Sequence, residues 1–252
     1  MRWPLIALGT GAYLAFLVST FPAATAYRWF APDTVVLSAP EGTVWQGRAP
    51  AGSAAGLAAT DIHWRISPLA LLIGRLGGSI DLRLPDGFAD TEFSVRPGGR
   101  IELKDLQLST SIEALGTVVP VYDTRGQISA QLATLVVEDD WPAMLNGEVR
   151  VGNLAVPPLL ATEPGQLIPL GSFRADVSTG PGSEIVAMVS SLSGPIELAD
   201  TRVTLDRTLN YVLDARIRLR PDAPPPLRDA IGLISSEPDG DGFRELPLSG
   251  QL

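Results

Sequence analysis

Cysteine is absent from the 252-residue chain, which excludes disulfides, thiolate metal sites and cysteine nucleophiles at once. Histidine occurs once, at His63, so multi-histidine metal centres are out and any Ser-His-Asp triad would rest on that residue alone. Lysine is also single, Lys104, and the formal net charge is −9, which removes the basic excess that nucleic-acid binding needs. Neither a Gly-x-Ser-x-Gly elbow nor a Walker phosphate loop is present. Gly9-Thr10-Gly11 lies in an apolar run, where small residues serve helix packing. The sequence therefore offers no catalytic set, no metal site and no cofactor site.

What is present begins with a leader. Trp3 to Tyr27 carries no charge between Arg2 and Arg28 and is crowded with Leu, Ile, Phe, Ala and Gly. As a helix, Pro4 to Phe21 would rise roughly 27 Å at about 1.5 Å per residue, close to the hydrocarbon thickness of a bilayer. Leu5, Ile6, Leu8, Leu14, Phe16, Leu17, Val18 and Phe21 supply the insertion free energy, roughly 2 to 5 kcal/mol in sum. These eight are the expected membrane-anchor residues of a single span over 1–29. Ala24-Thr25-Ala26 also fits the small-x-small site of signal peptidase, so a cleaved leader competes with a retained anchor. Retention is preferred because the n-region holds only Arg2 and because Trp3, Tyr27 and Trp29 stand where interfacial aromatics belong. Either way the remainder, 30–252, is sent across the membrane.

That remainder is long enough for one large domain, and its periodicity is that of strands. From Asp61, the residues Ile62, Trp64 and Ile66 alternate with His63 and Arg65. Ser67-Pro68 then suits a helix start, Leu69 to Arg75 makes a short helix, and Ile80, Leu82 and Leu84 return as a second strand. Further strands are expected over Asp90–Val95, Arg100–Leu108, Gln127–Val137, Gly147–Val151, Ser172–Thr179, Glu184–Ser190, Gly194–Asp206, Asn210–Arg220 and Phe243–Leu252. A bulge is required at Lys104-Asp105, where the alternation flips. Thr110-Ser111-Ile112-Glu113 has capping-box spacing for a turn of helix ending at Gly116, and Leu227 to Ile234 has helical spacing. Recurrent Gly-x-Val/Ile units at irregular intervals read as strand starts. The expected fold is mainly β with minor α: one large meandering, antiparallel, twisted sheet with short covering helices.

Three groups invite a functional reading. Glu138-Asp139-Asp140 and Asp239-Gly240-Asp241-Gly242 are oxygen-rich but lack the spacing of a calcium loop, and read as a strand end and a turn. The row Arg216, Arg218, Arg220 on one face of a strand is the candidate contact for lipid phosphates or an acidic partner. Several strands, such as Leu132–Val137 and Ile185–Val189, are apolar on both faces, so the sheet is either covered on both sides or lines an apolar groove.

The order of elements resembles the type II secretion system protein N family. The resemblance is carried by the leader, Gly42-Thr43-Val44-Trp45-Gln46-Gly47, and Trp64-Arg65-Ile66-Ser67-Pro68-Leu69 leading through Leu71-Leu72-Ile73-Gly74. It continues at Gly126-Gln127-Ile128 and Leu145-Asn146-Gly147-Glu148-Val149, and ends in Leu227 to Leu233 followed by Leu246 to Leu252. It implies a non-enzymatic accessory in the bacterial inner membrane, with its carboxy-terminal domain in the periplasm, that works with other type II secretion components. The alternative from the residues themselves is a membrane-anchored periplasmic lipid-binding or lipid-transfer protein. A third reading, an exported hydrolase, would need a hidden site around His63.

Overall fold

A computed structural model describes residues 3–31, 35–54, 57–117, 123–158 and 166–251. The leader forms α1 (Trp3–Ser19) and α2 (Ala23–Phe30). The helix expected through Phe21 stops at Ser19. The Ser19 and Thr20 hydroxyls both bond back to the Phe16 carbonyl at 2.9 and 2.8 Å, and Pro22 follows, which disfavours helix at Phe21. Among the described residues no helix is long and apolar enough to cross a membrane. Ile6, Phe16, Leu17 and Val18 are exposed on α1 and Phe21 is half-buried, while the side chains of Leu5, Leu8 and Leu14 lie outside those described.

The body is one antiparallel meander. It runs β1 (Val35–Ser38), β2 (Glu41–Gly42), β3 (Gln46–Ala54), β4 (Leu57–Ser67), α3 (Pro68–Leu72), β5 (Leu76–Leu84), β6 (Gly87–Val95) and β7 (Ile101–Ser111). After a 3-10 turn at Glu113–Thr117 come β8 (Arg125–Glu138), β9 (Trp141–Val156), β10 (Ile168–Thr179), β11 (Ile185–Ser193), β12 (Ile196–Leu205), β13 (Asn210–Leu219), α4 (Pro225–Ile234) and β14 (Arg244–Gln251). From β3 onward each strand pairs with the next in sequence, and β1 and β2 both pair with β3, giving a 14-stranded sheet. The proline turns at Pro164-Gly165 and Pro32-Asp33 lie outside the described residues.

Several local expectations hold and some need correction. The bulge at Lys104-Asp105 is there: the β6–β7 register shifts between Asp90 and Glu92, and Asp105 sits at φ 48°. Gly126 and Gly194 start their strands at φ 151° and 112°, conformations that suit glycine. Thr110, by contrast, is not a helix cap. β7 continues through it to Ser111, and its buried hydroxyl donates to the Pro85 carbonyl at 2.9 Å. The strand β3 was hidden in sequence because Ala49 to Ala54 is built of Ala, Gly, Ser and Pro, yet Ala49 is 1% exposed. The first half of β9 was also unexpected; Asp139 and Asp140, both at positive φ, make the two-residue turn that feeds it.

Burial is concentrated on one face, in two clusters. At one end Ala49, Ala59, Ile62 and Leu84 gather with Trp64, Leu82 and Leu108 packed around them. At the other, α4 lays Leu227 and Ile231 onto Ile196, Ile217 and Leu246. Covering an apolar sheet face with an amphipathic helix removes both stripes from water, at roughly 1.5–3 kcal/mol for each large side chain fully buried.

Candidate functional site

Among the described residues the fold produces two long faces of opposite character. Because side chains alternate along every strand, the register determines which residues line up across the sheet. One row of paired residues runs Glu41, Arg48, His63, Asp81, Asp90, Gln107 and Gln131, and then continues through Glu148, Asp176, Met188, Arg202 and Asp214. It is polar from β2 to β13 with Met188 the single apolar member. A row on the opposite face reads Leu106, Leu132, Gly147, Val177, Ala187, Val203, Leu213 and Leu248. Another there reads Leu82, Ala89, Leu108, Ala130, Val149, Ala175, Val189 and Thr201.

The polar face is laced with ion pairs. Arg48 meets Glu41 at 2.8 Å, Arg100 meets Glu138 at 2.6 Å, and Glu148 is bracketed by Arg150 and Arg174. Glu102 accepts from Lys104 at 3.3 Å and from Arg96 at 3.4 Å, and the Lys104 contact leads in holding its carboxyl below the usual range. Asp90 moves the other way: partial burial first, and the neighbouring Asp81 charge second, raise it. Shallow troughs indent this face. One, about 480 Å³, is lined by residues that include Arg65, Ser79, Glu92, Glu102 and Lys104; another, about 630 Å³, includes Glu41, Arg48, His63 and Asp81.

His63 belongs to this surface. Its Nε2 lies 3.0 Å from Asp61 Oδ1, two residues away on the same strand, with the two side chains 49% and 67% exposed. Such a solvated pair lacks the orienting, water-excluding shell that a general base requires.

The arginine row is consumed locally. Arg218 donates through Nε and Nη2 to Glu197 Oε2 at 2.8 and 2.6 Å, and Arg220 donates to Glu197 Oε1 at 3.2 Å. Arg216 pairs with Asp239, and both Arg216 and Arg218 stack over the Phe243 ring at 5.0 and 4.5 Å. Arg218 leads in pulling Glu197 down, and Arg216 leads in pulling Asp239 down. The Asp239 to Gly242 turn is thereby fastened onto β13, with Asp239 Oδ1 accepting from the backbone of Asp241 and Phe243 at 2.9 Å each. Glu197, Asp239 and Phe243 were not legible as partners, since they lie about twenty residues from the arginines they bind.

The edges are blunted. At β1 the Tyr27 hydroxyl engages both Val35 and Leu37. At β14 Ser236 pairs with both backbone groups of Glu245, at 3.0 and 2.8 Å, and Pro247 carries no N–H.

This geometry defines a class: an open antiparallel β-meander with one charged and one apolar face. The family model described as type II secretion system (T2SS), protein N matches residues 33–246, and the chain belongs to that family. No curated protein and no solved structure gives a significant match. Family membership makes the chain a type II secretion component.

Proposed function

We propose that this protein is a non-enzymatic scaffold of the type II secretion apparatus, anchored in the bacterial inner membrane through 1–29 with 30–252 in the periplasm. The observation that carries this reading is the row from Glu41 to Asp214, polar on every strand it crosses except β11. It gives partners a wide charged surface, while the capped edges discourage strand addition. Ion pairs across neighbouring strands hold that surface in register, so it is presented preformed. The anchor rests on α1, whose 17 residues span about 25 Å and which a locally thinned bilayer accommodates at modest cost. Crosslinking in native membranes tests the assignment. Capture of other secretion components is expected; capture of none, with secretion surviving deletion of the gene, contradicts it.

A second reading has its own observation. Between the two buried clusters, Val149, Val151, Ala175, Val177, Ala187 and Val203 stay only half-buried on the apolar face. An acyl chain laid along β8–β12 would cover them, as a lipid-binding or lipid-transfer protein requires. Native mass spectrometry separates the two: phospholipid bound stoichiometrically after delipidation and re-exposure supports this reading, and an empty chain removes it.

A further inference from the structure

We infer that α3 is a second membrane contact, a shallow apolar knob that seats the sheet on an anionic phospholipid surface beside the leader. The inference rests on the proposed membrane placement of α1. In and just after this five-residue helix, Leu69 is 73% exposed, Ile73 70% and Leu71 44%. A cluster of large aliphatic side chains held out in this way is costly in water unless something covers it.

Position identifies the cover. α3 leaves the end of β4, where the Ile66 N–H donates to the Trp45 carbonyl at 2.7 Å. Trp45 in turn donates its indole N–H to the Val18 carbonyl at 2.7 Å, and the Val44 N–H donates to the Phe21 carbonyl at 3.0 Å. Three hydrogen bonds thus tie the exit of α1 to the base of α3, at the same end of the sheet. Phe16, Leu17 and Val18 are exposed just there on α1, so two apolar projections leave the body side by side.

Charge identifies the surface. In a chain of net charge −9, the three longest stretches without an acidic residue are 1–32, 42–60 and 62–80. Each of those stretches has a part at this end, at Val18–Phe21, Trp45 and Ser67–Arg75, and they carry Arg28, Arg65 and Arg75 besides Arg48, which Glu41 takes up at 2.8 Å. The chain from Ile62 to Ile80, which carries α3, holds no carboxylate, and Glu41 near its base is held in that pair, so the knob itself brings no unpaired acid toward anionic headgroups. Aliphatic residues that enter the acyl boundary beside arginines that stay at headgroup level make an interfacial contact. A protein partner would satisfy the apolar knob equally but gives no reason for its being hydrogen-bonded to the exit of α1 on a segment free of carboxylates.

The cysteine-free chain allows a direct test. Ile73→Cys, Phe16→Cys and Gln131→Cys are each labelled with an environment-sensitive fluorophore, and the full chain is reconstituted in phosphatidylethanolamine–phosphatidylglycerol vesicles containing spin-labelled lipid. At position 73 the emission should shift to the blue, brighten severalfold and be quenched most by shallow spin labels. Position 16 should be quenched most by deep labels, and position 131 should stay as in buffer. A solvent-like probe at 73 with a quenched probe at 16 overturns the knob while leaving the anchor standing. Solvent-like probes at both positions mean that the anchor reading has failed. A probe at 73 that shifts only when other secretion components are added shows a protein-covered knob and also overturns the inference.

Discussion

Tyr27 closes the edge of the sheet at Val35: its hydroxyl donates to the Val35 carbonyl at 3.1 Å and accepts from the Leu37 N–H at 3.0 Å. One side chain from α2 thus occupies the position of a neighbouring strand. This makes α2 part of the β body, although the sequence places it in the leader, and Ala23 at 4% exposure confirms the docking. Tyr27→Phe should leave both backbone groups without a partner and cost about 1–2 kcal/mol. Hydrogen exchange checks it: the Leu37 amide and the β1–β3 pairing should exchange faster, while β13 and β14 are unchanged.

The charged face makes a signed prediction about pH. Glu197 has its carboxyl lowered, by hydrogen bonds from Arg218 first and Arg220 after it, so the folded state binds a proton less readily than the unfolded one. Its contribution is therefore present above the unfolded carboxylate value and lost as pH falls through the lower folded value. Asp90 is raised and carries the opposite sign: it favours the fold when protonated, and that advantage disappears as pH rises through its folded value. Denaturant titrations of Glu197→Gln and Asp90→Asn at acid and neutral pH should show a loss for the first at neutral pH and a gain for the second, both shrinking in acid.

Covering the apolar face at its far end depends on α4. Leu227 is 4% exposed within the cluster formed with Ile217 and Leu246, whereas Leu233, on the same helix, is 76% exposed. Leu227→Ala should destabilise by about 2–5 kcal/mol, and Leu233→Ala by less than about 0.5 kcal/mol. Thermal denaturation distinguishes them, and equal effects would mean that α4 does not dock as described.

How much of this was readable from residues alone varies with the physics of each element. β13 was plain, because Tyr211, Leu213, Ala215, Ile217 and Leu219 alternate with charged residues and one face is truly buried. The bulge at Asp105 was equally plain, because only an extra residue reconciles Leu103 with Leu106. β3 was not, because small residues pack closely without producing any contrast between faces; Gly52 has Ile62 and Leu37 where a Cβ would go. The in-strand irregularities at Asp61 and Asp200 also went unseen, since aspartate at positive φ leaves no hydrophobic signature. In the leader, hydropathy continues to Phe21 while the helix stops at Ser19, so composition alone does not show its end. Arg216, Arg218 and Arg220 were found as a row, but their engagement with Glu197 and Asp239 is a tertiary fact.

On the proposed function, the charged face meets secretion partners and the apolar face does not. Asp176 and Val177 are adjacent on β10 and point to opposite faces. Placing a photo-crosslinking amino acid at each in turn, in cells that are actively secreting, is the most direct measurement. The account predicts crosslinks to other type II secretion components from position 176 and none from position 177. The same protein adducts from both positions, or adducts from 177 alone, would contradict it.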